Sequence, residues 1–170
     1  MKTASIAILL CLALALAACG DDDDSTSGGS EASASGSASA QSPAEAAKRQ
    51  KPKVSVPQGP APKQLVTEDL IEGSGPAAKA GDEVTVQYVG VGFDSRKEFD
   101  ASWDRGEPFT FTLGAGEVIP GWDQGVAGMK EGGQRQLLVP GNLAYGQAGF
   151  PPAIGPNETL VFVVDLLAVR

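Results

Sequence analysis

The sequence predicts an α+β fold, in which a twisted antiparallel sheet of about five to six strands wraps around one short helix. Three observations support this prediction. Several short segments alternate apolar and polar residues, one longer segment is apolar on both faces, and a single segment has helical spacing. With only one helix, the simplest packing places the apolar face of the sheet around it.

The predicted strands follow one another from residue 84 to the end of the chain. Alternation with a period of two occurs at Val84, Val86 and Tyr88, at Phe109, Phe111 and Leu113, and more weakly at Leu137 and Val139. Residues 160–167 are apolar at nearly every position. This last pattern predicts a central strand that is covered on both sides.

The predicted helix begins at Pro120, because proline has the φ angle of the first helical position and needs no N–H there. Trp122, Val126 and Met129 then follow at i, i+4 and i+7, which is the spacing of one helix face. We expect the glycine pair at residues 132–133 to end the segment.

The N-terminus has the pattern of a bacterial lipoprotein. The uncharged apolar run from Ala4 to Ala18 is shorter than the roughly 20 residues that span a bilayer, but it suits a secretory signal. Residues 16–19 resemble a lipobox, in which cleavage precedes a cysteine that becomes lipid-modified. We expect residues 1–18 to be the signal peptide and Cys19 to carry the lipid. The alternative is an ordinary signal peptide followed by an incidental cysteine.

Residues 19–62 are rich in Ser, Ala, Gly, Asp and Pro and have almost no large apolar side chain before Val54. Such a composition predicts a disordered linker, including a basic group at residues 48–53 that could touch anionic lipid or wall polymers. The folded domain is then expected to span residues 63–170. Together with the anchor at Cys19, this arrangement predicts an extracytoplasmic domain attached to a membrane of the cell envelope.

The composition excludes several classes of function. With no histidine in the chain, histidine-ligated metal sites and histidine-based catalytic triads are impossible. The net charge of −8 argues against binding to nucleic acid. After cleavage only Cys19 would remain, so no internal disulfide could form. We expect no cofactor, no metal, no nucleic-acid partner and a monomeric protein.

Several sequence blocks, in this order and at this spacing, together resemble FKBP-type peptidyl-prolyl cis–trans isomerases. They lie at residues 86–90, 98–102, 108–114, 117–122, 129–133, 143–146 and 159–162. The resemblance covers the whole predicted domain. It implies an FKBP-like fold and acceleration of rotation about X–Pro peptide bonds in unfolded or secreted polypeptides, with FK506- or rapamycin-like macrolides as further ligands. The alternative is an FKBP-like module that binds proline-containing or apolar segments without turnover.

The resemblance also implies a role for individual residues. Trp122 would form the floor of an apolar pocket, Val118 and Ile119 one edge, and Asp100 with Arg105 a polar network at the rim. The walls would be Tyr88, Phe99, Phe109 and Phe162, and the overhanging loop would contribute Tyr145, Phe150 and Ile154. Of these, Tyr88, Asp100, Ile119, Trp122, Tyr145 and Phe162 are the expected catalytic set, and the others would contact the substrate. From periodicity alone, Phe109 and Phe162 would be assigned to the core.

The residue types fit catalysis of a rotation. Ile119 precedes a proline at the entrance of a helix, so its N–H has no intrahelical partner and can donate to a substrate carbonyl. Tyr145 would supply a second donor. Departures from the family pattern occur at Ala153 and Gly155, in the loop after Tyr145, and at Trp103, which we expect to extend the rim of the pocket.

Overall fold

The computed structural model describes residues 40–170. The predicted signal peptide, Cys19 and the first part of the linker lie outside these residues. The helices are α1 (Pro43–Ala46), α2 (Ser102–Arg105) and α3 (Pro120–Gly125), and the strands are β1 (Val66–Ile71), β2 (Glu83–Gly92), β3 (Glu98–Ala101), β4 (Phe109–Thr112), β5 (Gln134–Val139) and β6 (Leu160–Val169). No helix among these residues has the length and apolar character needed to cross a membrane.

The six strands form one antiparallel sheet in the order β1-β5-β6-β2-β3, with β4 paired to the first half of β2. The predicted α+β fold, with five to six antiparallel strands and a short helix, is confirmed. β6 lies between β5 and β2 and pairs with both strands over most of its length. Val164, for example, pairs with Arg135 of β5 and with Tyr88 of β2. The central strand inferred from the apolar run at residues 160–167 is therefore correct.

One face of the sheet and α3 together form the main core. Val84, Val86 and Tyr88, which alternate along β2, contribute to this core together with Trp122 of α3. The helix lies directly on β5, because a Cβ atom at Gly121 would be only 2.2 Å from Cγ1 of Val139. The absence of a side chain at residue 121 thus sets the depth at which Trp122 enters the core.

The helix begins at Pro120 as predicted but is shorter than expected. It ends at Gly125, with Val126 as its C-cap, rather than at residues 132–133. Gly128 has a φ of +78°, a value that ends helical geometry. Met129 is almost completely buried, but it reaches the core from the chain that follows this turn. The sequence analysis also missed α1 and α2, which are each a single turn long.

The predicted domain boundary at residue 63 is too late, because residues 40–62 pack on the other face of the sheet. Val54 and Val56 contact two buried clusters there, one around Val89 and Val91 and the other around Phe93. The Ser55 carbonyl accepts a hydrogen bond of 2.6 Å from the side-chain amide of Gln136 in β5. We call residues 41–57 the N-terminal strap.

A buried ion pair also anchors the strap. The guanidinium of Arg49 lies 2.6 Å from Oδ1 of Asp165 in β6, whose side chain is completely buried. Arg49 also donates to the carbonyl of Gly132 at 2.6 Å and to the side chain of Gln41 at 2.8 Å. The composition of the linker predicted disorder because large apolar residues are scarce. A few well-placed contacts nevertheless hold residues 40–62 in the folded unit.

Candidate active site

α3 and the sheet face that carries Tyr88 border a cavity of about 400 Å³. Nine of the twelve predicted pocket residues line this cavity: Tyr88, Phe99, Asp100, Phe109, Val118, Ile119, Trp122, Tyr145 and Phe162. Arg105, Phe150 and Ile154 are not among the lining residues. The structure therefore brings together side chains from β2, β3, β4, α3, β6 and the loop after β5.

Trp122 is the centre of the aromatic arrangement and is only 4% exposed. Its ring meets Tyr88 edge-on at a centroid distance of 5.0 Å and Phe162 edge-on at 5.3 Å. Phe109 approaches it from β4 at 6.3 Å. Edge-to-face packing is a favoured geometry for aromatic pairs, so the rings hold one another in place. The Nε1–H group of Trp122 is buried and has no acceptor among residues 40–170.

Gly90 lies next to the aromatic pair formed by Phe99 and Phe162. Phe99 and Phe162 meet edge-on at 5.6 Å. A Cβ atom at Gly90 would lie 2.6 Å from the ring of Phe99 and 2.9 Å from that of Phe162. Since real side chains do not tolerate such distances, residue 90 must be glycine for these two rings to pack as they do.

The polar rim is a network of three side chains. The hydroxyl of Tyr88 donates to Asp100, and Arg105 forms an ion pair with the other oxygen of the same carboxylate. Arg105 also donates to the Tyr88 hydroxyl at 2.9 Å. Arg105 thus does not line the cavity, but it orients two residues that do. The backbone N–H of Tyr88 is held as well, by Oγ of Ser102 at 2.8 Å.

The environment keeps both phenols of the cavity protonated. Burial raises the pKa of Tyr88, and the bond to Asp100 raises it further, although Arg105 opposes the effect. Burial also raises the pKa of Tyr145, with a smaller contribution from the charge of Asp100. Both hydroxyls can therefore act as hydrogen-bond donors at neutral pH.

The backbone N–H of Ile119 provides a further donor at the cavity. Ile119 is the N-cap of α3, with φ −59° and ψ 145°, the extended conformation expected before a proline. Its carbonyl accepts from Trp122 at 2.8 Å. Its own N–H has no acceptor among residues 40–170, as predicted from the position of Pro120.

The loop after Tyr145 places Phe150 and Ile154 in two different environments. Phe150 is 61% exposed and packs against the ring of Tyr145 at 5.7 Å, outside the cavity. Ile154 is 3% exposed and belongs to the main core. Two backbone hydrogen bonds of 2.9 Å join Phe150 and Ile154. The buried side chain of Ile154 therefore anchors the loop to the core, and Phe150 lies on the solvent-exposed side of the loop.

Sequence reasoning missed Glu117 as a lining residue. Its carboxylate accepts a hydrogen bond of 2.9 Å from the N–H of Thr112, which places it at the mouth of the cavity next to Val118. Its position immediately before Val118 was the available signal. No cluster of three or more Cys, Asp or Glu side chains in residues 40–170 has a metal-binding arrangement. The cavity can bind an apolar segment and orient it with neutral donors.

Comparison with known proteins agrees with the fold and the cavity. The sequence pattern of the FKBP-type peptidyl-prolyl cis-trans isomerase family matches residues 75–167. The chain is 56% identical over 121 residues to the "FK506-binding protein" of Streptomyces anulatus, a match that covers 71% of this chain and 98% of that protein. It is 47% identical over 119 residues to the "Probable FK506-binding protein" of Corynebacterium glutamicum, covering 70% and 98%.

A solved structure shows the same relationship. The crystal structure of AtFKBP13 is similar with a TM-score of 0.59 and 38% sequence identity, covering 65% of this chain and 96% of that one. The chain belongs to the FKBP-type peptidyl-prolyl cis–trans isomerase family and is an enzyme of that class. The match to the Streptomyces protein includes more residues than lie between Lys63 and Arg170, so it extends into the N-terminal strap.

Proposed function

We propose that the protein accelerates rotation about X–Pro bonds in extracytoplasmic polypeptides by desolvation and orientation, without covalent or metal chemistry. The observation that supports this proposal is the composition of the cavity. Five aromatic side chains surround the Trp122 floor, and the lining contains no cysteine, serine, threonine or lysine that could act as a nucleophile. The two carboxylates of the lining are each engaged, Asp100 with Arg105 and Glu117 with a backbone N–H.

The physics of the peptide bond explains how such a cavity catalyses rotation. Amide resonance creates a barrier of about 18–20 kcal/mol, and an unaided X–Pro bond isomerises in tens of seconds or more. In the twisted state resonance is lost and the carbonyl becomes less polar. An aromatic, water-poor cavity therefore disfavours the planar amide more than the twisted one. This difference lowers the barrier by binding the transition state preferentially.

Orientation supplies the second contribution. A proline ring resting on Trp122 would place the flanking carbonyls near the free N–H of Ile119 and the hydroxyl of Tyr145, which makes no hydrogen bond within residues 40–170. Neither donor has to change its protonation state during turnover. Holding the chain in a bent conformation also removes much of the entropic cost of reaching the transition state.

The apolar walls favour a bulky apolar residue before the proline. The same cavity suits macrolides of the FK506 or rapamycin type, in line with the names of the FK506-binding relatives from Streptomyces and Corynebacterium.

For cellular location, the lipobox-like residues 16–19 support lipid attachment at Cys19 and a domain held at a membrane of the cell envelope. Mass spectrometry of the native protein should find an acylated N-terminus at Cys19. A soluble protein with an unmodified N-terminus elsewhere would contradict this.

The central test is a proline-isomerisation assay with the chain from Gly20 to Arg170, which retains every described residue. We expect clear acceleration at micromolar enzyme, and loss of most of it in Trp122→Ala. A folded protein that leaves the spontaneous rate unchanged would refute the proposal. If that protein still binds proline peptides, the function is that of a binding module.

A further inference from the structure

Lys51 of the N-terminal strap contacts both ends of the segment that carries the polar rim. Its ammonium group lies 2.7 Å from Oε1 of Glu98 in β3. It also lies 2.7 and 2.8 Å from the two carboxylate oxygens of Asp104 in α2. Asp100 lies between these two acidic residues in the chain, and Arg105 follows Asp104 directly. A cation of the strap therefore stands beside the network of Tyr88, Asp100 and Arg105 without lining the cavity.

Apolar packing fixes the strap next to α2. Trp103, which we expected at the rim, packs instead with Val54 and Val56 against the cluster of Val89, Val91 and Ala101. Because side chains alternate along a strand, Val89 and Val91 point away from the sheet face that carries Tyr88. The position of Lys51 thus depends on half-buried contacts behind the sheet as well as on its own exposed ion pairs.

Lys51 joins the two elements that carry the polar rim. Asp100 lies in β3 and Arg105 ends α2, and their side chains form an ion pair. The ammonium group of Lys51 holds the same two elements together through Glu98 and Asp104, and its hydrogen bond is the chief reason that the pKa of Asp104 is lowered. Without Lys51 this link between β3 and α2 would be lost, and Arg105 could move away from Asp100 and the Tyr88 hydroxyl.

We propose that Lys51 is a positioning residue for the isomerase site. By bridging Glu98 of β3 and Asp104 of α2, it keeps Asp100 and Arg105 at the separation that their ion pair requires. Arg105 then stays on Asp100 and Tyr88, and the wall formed by Tyr88 keeps its place for the proline-containing peptide. This inference rests on the proposed function, because its effect is measured on peptide isomerisation.

The first test compares two lysine substitutions in residues 20–170, using an uncharged X–Pro peptide as substrate. Lys51→Met should lower kcat/KM about two- to fivefold, the range that corresponds to the free energy of an exposed ion pair. Lys53→Met is the matched control, since it makes the same change two residues away and Lys53 forms no salt bridge within the described residues. We expect Lys53→Met to equal the wild type. An equal loss in both variants, or no loss in Lys51→Met, would overturn the inference.

The second test asks whether Lys51 acts through Asp104. If Lys51 bridges Glu98 and Asp104, Asp104→Asn alone should lower kcat/KM, and adding it to Lys51→Met should lower kcat/KM little further than Lys51→Met does alone. An Asp104→Asn variant as active as the wild type, or fully additive losses in the double variant, would overturn the inference. Urea unfolding midpoints establish that all four variants are folded. A folded but inactive wild type would overturn the proposed function as well, whereas an active wild type with additive losses overturns only this inference.

Discussion

Replacing Arg49 by methionine should destabilise the folded unit strongly. The side chain of Arg49 is 12% exposed and that of Asp165 is completely buried. Removing one partner of a buried pair typically costs about 3–5 kcal/mol, because the remaining charge is left in a poorly solvated place. The amide of Gln134 stays 2.9 Å from the Asp165 carboxylate and softens the loss. We therefore expect a decrease of about 3 kcal/mol in the free energy of unfolding.

The destabilisation caused by Arg49→Met should increase with pH. Burial raises the pKa of Asp165, although Arg49 and Gln134 lower it. A folded-state pKa above the unfolded value means that the folded state binds this proton more tightly. The contribution of Asp165 to stability is therefore greatest below its unfolded pKa and is lost as the pH rises through its folded pKa. Without Arg49 the folded pKa rises further, so the destabilisation should be larger at neutral than at mildly acidic pH.

Urea unfolding followed by tryptophan fluorescence measures these differences. The control is Arg170→Met, because Arg170 lies 3.8 Å from Glu83, and both side chains are more than half exposed. This variant should lose less than about 1 kcal/mol. Adding Asp165→Leu to Arg49→Met should recover a large part of the loss by removing the buried charge. If Arg49→Met costs no more than Arg170→Met, the strap is not held by this ion pair and the reasoning is refuted.

Three further predictions concern the cavity. The turnover rate should be nearly flat with pH while the domain stays folded, since no histidine titrates; a bell-shaped profile abolished by Asp100→Asn would contradict this. Trp122→Ala should weaken peptide binding strongly. Tyr145→Phe should raise the kinetic barrier, measured from kcat/KM, by about 0.5–1.5 kcal/mol, because it removes one hydrogen bond. Gly90→Ala should displace the two phenylalanine rings above it, costing roughly 1–3 kcal/mol of stability and reducing affinity. Gly155→Ala, whose added Cβ would have 3.5 Å of room, should be harmless by comparison in an unfolding measurement.

The strands and the start of the helix were predictable because each follows from a local pattern. Alternation along β2 and the two-sided apolar character of β6 report directly which faces are covered. Pro120 fixes the first turn of α3. The end of that helix was not predictable in the same way. Val126 and Met129 keep helical spacing, yet the positive φ of Gly128 turns the chain, and both side chains still reach the core.

The cavity was predictable as a set of residues but not in its details. The family resemblance named nine of its lining residues, whereas periodicity could not distinguish Phe109 at the cavity from Phe111 in the core. The burial of Ile154 depends on how the loop folds back on itself, which no local pattern reports. The strap was missed for a similar reason. Arg49 and Asp165 are 116 residues apart in the sequence, and only the folded sheet brings them together.

The proposed catalysis by desolvation and orientation depends on the position of the cavity walls. In this fold, β2 carries the wall residue Tyr88 on one face and Val89, which the strap covers, on the other. β3 and α2 likewise join Asp100 and Arg105 of the rim to Glu98 and Asp104, which bind Lys51. Contacts behind the sheet and the geometry of the cavity are therefore linked through β2, β3 and α2. Substitutions that alter packing or ion pairs in these elements should change activity more than substitutions elsewhere that merely change charge.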